Sequence, residues 1–108
     1  MALTALGTIA VPTHGTKVQI SALAIRCQTI FFQALKTSGH SNTGNVYVYG
    51  PDSTNQPVRI ATLAIPTANT IPSFSVTIPN APGGLSLNQF YLDSDVDTDG
   101  ADVTYLGP

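Results

Sequence analysis

The sequence predicts an all-β fold, a single small β-sandwich or jelly-roll-like domain spanning residues 1–108, with two related four-strand halves as a further reading. Three observations carry this. Short apolar or alternating runs are cut apart by Pro and Gly, and no segment shows a capped helical period. Glu is absent, so β-branched Val, Ile and Thr set the local preference in place of strong helix formers.

Taken in order, the first strand is expected over Leu3–Val11 and stops at Pro12. Lys17–Ile25 and Cys27–Lys36 follow as two further runs. Val46–Tyr49 places valines on one face and tyrosines on the other, as a period of two demands. Val58–Ile65 runs up to Pro66, and Phe74–Ile78 alternates apolar and hydroxyl side chains before Pro79. Gln89–Leu92 and Val103–Leu106 complete the set. Pro72 and Pro82 also fall at run ends, where a missing N–H does least harm, and Pro82-Gly83-Gly84 reads as a turn.

The two halves echo each other. Thr8-Ile9-Ala10-Val11-Pro12-Thr13 is matched by Thr62-Leu63-Ala64-Ile65-Pro66-Thr67. Asn45-Val46-Tyr47-Val48-Tyr49-Gly50-Pro51 is matched by Asp102-Val103-Thr104-Tyr105-Leu106-Gly107-Pro108. Two echoes in the same order point to halves packed about a pseudo-two-fold axis rather than to a solenoid.

Charged residues are 9% of the chain, against roughly 25% in ordinary soluble domains. Sparse charge suits a surface covered by neighbours, because the core of a protein interface is depleted in charge. The net charge is −2, and the basic residues Lys17, Arg26, Lys36 and Arg59 are scattered, so no cationic stripe for nucleic acid is present. No apolar run is long enough for a membrane-spanning helix, and the N-terminus lacks a basic leader region. Cys27 stands alone in an apolar stretch, which reads as a buried thiol in a reducing cytosol.

The sharpest chemical pattern is acidic. From Asp95, the residues Asp95, Asp97, Asp99 and Gly100 match the opening of a calcium loop, with carboxylates at alternate positions. The twelfth loop position is Leu106 rather than a bidentate Glu, and the flanks read as strands. A water-exposed hairpin tip with an Asp-Gly turn is the plainer reading, a weak calcium site the alternative. His14 and His40 read as surface loop residues without metal-ligand spacing. Ser41, His40 and Asp52 could be drawn as a hydrolase triad, but no nucleophile elbow supports them. Tyr47, Tyr49, Tyr91 and Tyr105 are types that stack on sugars, and more often pack in interfaces.

Two segments carry a family resemblance. Phe31-Phe32-Gln33-Ala34-Leu35-Lys36, followed by Asn42-Thr43-Gly44-Asn45-Val46-Tyr47-Val48, resembles a pattern of small virion proteins of tailed bacteriophages. In those proteins an "IQAL" strand leads through an "NTG" turn into a "VYV" strand. Phe90-Tyr91-Leu92-Asp93-Ser94, then Gly100-Ala101-Asp102-Val103-Thr104-Tyr105-Leu106, is similar to their ending, a "YVDS" strand and a Gly turn before "GVTYLY". Here Ser38-Gly39-His40-Ser41 lengthens the first turn, and the acidic loop is longer and richer in Asp.

The resemblance implies a capsid decoration or cement protein that binds the assembled shell and ties capsomers together. It implies a homo-oligomer, with the major capsid protein or other virion proteins as partners, assembled in the host cytoplasm and resident in the virion. It carries no catalytic residue and no cofactor. The alternatives are a tail, neck or fibre-base protein, or a carbohydrate- or calcium-binding sandwich module.

Overall fold

Alternation along the chain becomes two facing sheets in the computed structural model, which describes residues 3–37, 39–77 and 85–107. The strands are β1 (Leu3–Ala10), β2 (Val18–Gln19), β3 (Arg26–Cys27), β4 (Thr29–Ala34) and β5 (Val46–Pro51), then β6 (Pro57–Leu63), β7 (Ser73–Thr77), β8 (Leu85–Ser86), β9 (Tyr91–Ser94) and β10 (Gly100–Leu106). Among the described residues the only helical geometry is a 3-10 turn at Leu87–Gln89. The fold is therefore all-β, as expected.

The first sheet has the order β1-β10-β4-β7 and the second β2-β9-β5-β6, with β3-β8 forming a small separate ladder. Every pairing is antiparallel, and five of them are nested: β1 with β10, β2 with β9, β3 with β8, β4 with β7 and β5 with β6. The chain is thus one long hairpin folded over at the turn between β5 and β6. Two further pairings, β10 with β4 and β5 with β9, roll that hairpin into a sandwich. This is the jelly-roll arrangement of two packed Greek-key sheets.

The pairings are unchanged when each strand of the first half is exchanged with its counterpart five strands later. The sequence echoes lie on exchanged strands: the first pair ends β1 and β6, the second runs along β5 and β10. One expectation needs correcting. Among the described residues the halves hold five strands each, counting β3 and β8, and neither half is a sheet by itself, because each sheet takes strands from both. Even the irregularities correspond. The ladder slips at Leu6 in β1 and at Ile60 in β6, and these are edge strands in their respective sheets. Bulges there twist an exposed edge away from further pairing.

Inward-facing side chains follow the predicted alternation. Val46 and Val48 of β5 and Ile30 and Phe32 of β4 are essentially inaccessible, and Leu63, Leu92 and Val103 meet them between the sheets. Phe32 lies at the centre, with ring centroids 6.3 Å from Phe74 and 6.5 Å from Phe90. Burial of such a side chain is worth roughly 1.5–3 kcal/mol. Cys27 is buried, and desolvation pushes its thiol pKa up, in keeping with a structural role.

Two expected strands are shorter than their apolar runs. Lys17–Ile25 yields only β2, because the Ser21 hydroxyl accepts a hydrogen bond from the Leu23 N–H and turns the chain. Cys27–Lys36 is divided at Gln28, whose N–H leaves the local ladder to donate to the Leu106 carbonyl. Pro79, Ile78, the Pro82-Gly83-Gly84 turn and Ser38 lie outside the described residues.

Candidate interaction surfaces

The acidic segment is not a hairpin tip. It joins β9 in the second sheet to β10 in the first, so it crosses one end of the sandwich. That path brings its carboxylates against the β1–β2 and β4–β5 loops and against strands β1 and β5, and each one faces a different partner. Asp93 Oδ1 accepts from the N–H groups of Gly15 and Ser94, both at 2.8 Å. The Tyr47 hydroxyl donates to Asp95 at 2.8 Å. Asp97 Oδ1 takes the His14 N–H at 2.9 Å and lies 2.7 Å from His14 Nδ1. Asp102 accepts from the Thr8 hydroxyl.

Asp99 has no solvent exposure. Its Oδ2 accepts from the N–H groups of Thr43 and Gly44 at 3.0 and 2.8 Å, and its Oδ1 lies 3.1 Å from His40 Nε2. The Asn42-Thr43-Gly44 turn is therefore a cradle for this carboxyl. Asn42 completes the clamp, donating to the Gly100 carbonyl at 2.8 Å and accepting the Gly100 N–H at 2.9 Å. A side chain on Gly44 would meet Val96 at 2.8 Å, so the turn needs glycine for the loop to pack on it. Gly100 has a similar reason: a Cβ there would collide with the Ile9 carbonyl oxygen.

The three residues of the calcium pattern are thus directed apart, Asp95 to Tyr47, Asp97 to His14 and Asp99 to the Thr43–Gly44 backbone. Among the described residues, no three His, Cys, Asp or Glu side chains gather as a metal site. His14 and His40 do lie in loops, but both are bound to the acidic segment. Hydrogen bonding to Asp97 and its charge hold the His14 pKa above the ordinary value, while the His14 backbone and ring lower that of Asp97. Ser41, His40 and Asp52 do not assemble: Ser41 donates to the Thr37 carbonyl, and Asp52 organises its own turn with Thr54 and Gln56.

The outer faces of the two sheets are chemically opposite. On the second sheet Tyr49 is the register partner of Tyr91, and Tyr47 lies two residues along the same strand. Lys17 Nζ stands 4.7 Å from the Tyr49 ring centroid, and the Arg59 guanidinium 4.3 Å from that of Tyr47. Tyr105 is apart, in the first sheet against the core. Three of the four tyrosines therefore share a face, with cations already over two of the rings. That occupancy disfavours stacking of a sugar on those ring faces.

The first sheet presents the reverse. The only charged residue on its four strands is Asp102, which is bonded to Thr8. Apart from Asp102 and its register partner Gln33, its outward residues are hydroxyl-bearing or apolar: Thr29 and Thr77 hydroxyls meet at 3.0 Å, and Phe31 lies between Thr104 and Ser75. Phe31 keeps 42% of its surface exposed and Leu3 66%. Leu3 belongs to the apolar N-terminal segment, which is an edge strand rather than a free arm; Met1 and Ala2 lie outside the described residues. An apolar cleft of ≈ 200 Å³ also opens between the sheets, lined by Gly50, Pro51, Ile60, Val76, Leu85 and Phe90.

Compared with known protein families, curated proteins and solved structures, the chain matches none.

Proposed function

We propose that this chain is a non-catalytic virion structural protein of a tailed bacteriophage, a capsid decoration or cement protein that packs against shell proteins and copies of itself. The observation that carries the reading is the outer face of the first sheet. A four-stranded face carrying a single charge, Asp102, has few ions to dehydrate on contact, and Phe31 and Leu3 stand out from it. Such composition matches the charge-poor core of a protein interface more closely than a solvated surface. The resemblance of the Phe31–Lys36 and Asn42–Val48 segments to small virion proteins supplies the phage context.

A binder of this kind would act by mass action. Attachment only to the assembled lattice stabilises that lattice, and many weak contacts on one particle add up through multivalency. The test is the copy number and position of the protein on purified particles by cryo-electron microscopy. A stoichiometry matching the capsomers, with the first sheet facing the shell, is the expected result. A small ring at the tail or neck would move the protein elsewhere in the virion, and absence from particles would end the proposal.

A further inference from the structure

We propose that the tyrosine face of the second sheet is a docking surface for the acidic loop tip of a second copy of this chain. This rests on the reading that copies pack against one another, and names the surfaces that do so.

The face has cations outside any ion pair, although the Tyr47 hydroxyl under Arg59 is bonded to Asp95 of the same chain. Among the described residues neither Lys17 nor Arg59 makes an ion pair with a carboxylate. Each is instead held over a tyrosine ring. A guanidinium resting on an aromatic face still presents its N–H edges to a carboxylate, and it has already lost part of its freedom. Tyr91 lies beside Tyr49 on β9, between Lys17, which precedes β2, and Arg59 of β6.

The same chain carries the complement. Asp95-Val96-Asp97-Thr98 is an unbroken exposed run where the acidic segment crosses the end of the sandwich. Two carboxylates flank Val96, which is 37% exposed. Asp97 uses only Oδ1 for His14, and no described residue donates to its Oδ2. The tip is also fixed before any partner arrives. Tyr47 holds Asp95, His14 holds Asp97, and the next carboxylate, Asp99, is clamped by the Thr43–Gly44 backbone. Pre-ordering of this kind lowers the entropy cost of association. Two carboxylates around an aliphatic group thus face two cations set on tyrosines. Tip and face adjoin through the Tyr47–Asp95 bond, so two copies can exchange them reciprocally about a two-fold axis, or pass them from copy to copy as a ring or chain.

Sedimentation velocity on the full chain, across a concentration series at low and high salt, tests this. Association at low salt that weakens as salt rises is expected, since exposed ion pairs are screened. Lys17→Gln with Arg59→Gln should weaken association by about tenfold, as loss of close charge pairs does at other interfaces. Asp95→Asn with Asp97→Asn should do the same, with far-UV circular dichroism confirming the fold. The decisive arm uses charge reversal. Lys17→Glu with Arg59→Glu, and separately Asp95→Lys with Asp97→Lys, should each fail to self-associate, and an equimolar mixture should recombine.

A wild-type chain that stays monomeric at low salt overturns the inference. So does a mixture of folded charge-reversed chains that fails to recombine. Association that persists unchanged in the Lys17→Gln, Arg59→Gln chain also overturns it, yet leaves self-packing through another surface standing. Particle attachment of the same variants, measured in parallel, separates failure of this contact from failure of the virion reading.

Discussion

At Asp99 a carboxyl with no solvent exposure accepts from two backbone N–H groups and faces a histidine ring, so its removal strands donors at the end of the sandwich. Asp99→Ala should cost about 2–3 kcal/mol, measured as a lower denaturation midpoint at unchanged m. Asp99→Asn should cost less, because its oxygen can still accept from Thr43 and Gly44 while its amide donates to His40. Gly100→Ala should be worse than either, since the new methyl would collide with the Ile9 carbonyl and part β1 from β10. The His14–Asp97 pair predicts a pH profile. His14 is held above its ordinary 6.5, so its contribution is complete below that value and fades as pH rises through the raised one. Asp97 is held below its ordinary 3.8, so its contribution is complete above that value and fades as pH falls through the lowered one. The difference in melting temperature between wild type and His14→Gln should therefore peak at mildly acidic pH and shrink on both sides.

Among the elements, β4 separates folding from attachment most cleanly. Its inward residues Ile30, Phe32 and Ala34 are buried, while Phe31 points out from the charge-poor face. Phe31→Ser should leave stability within about 0.5 kcal/mol and yet reduce binding to particles, read by co-sedimentation. Such faces were legible in the sequence wherever a run alternates for four or more residues, as in Val46–Tyr49 and Phe74–Thr77. The pair β3–β8 was not legible, because two-residue strands leave no period to read. Nor was the sheet membership of β9 and β10. They are close in sequence with an Asp-Gly between them, which locally reads as a hairpin, but each finds a better hydrogen-bonding neighbour in a different sheet. The same ambiguity hid the partners of His14 and His40. Their carboxylates are remote in sequence, and only the crossover of the acidic segment brings them together. A pairing of His with Asp has no local signature, whereas a strand does.

For the molecule as a whole, the rolled hairpin gives two opposed surfaces from a chain with very few charges. One is charge-poor and hydroxyl-rich, and the other holds Lys17 and Arg59 over tyrosines. On the proposed virion reading, one of these surfaces would meet the shell and the other a neighbouring copy. The nested pairing has a further consequence, in time rather than space. The innermost pair, β5 with β6, closes across the short turn that Asp52 organises by accepting from Thr54 and Gln56. Each outer pair spans a longer stretch of chain, and the entropy of closing a loop grows with its length. Once an inner pair has formed, however, the next pair outward has only a short remaining gap to close. Folding should then run as a zipper from the Asp52 turn, with β1 joining β10 last. In chevron experiments Asp52→Ala should mainly slow refolding, while Thr8→Val, which loses the bond to Asp102, should mainly speed unfolding. If Asp52→Ala changed only the unfolding limb, the chain would be starting its roll somewhere else.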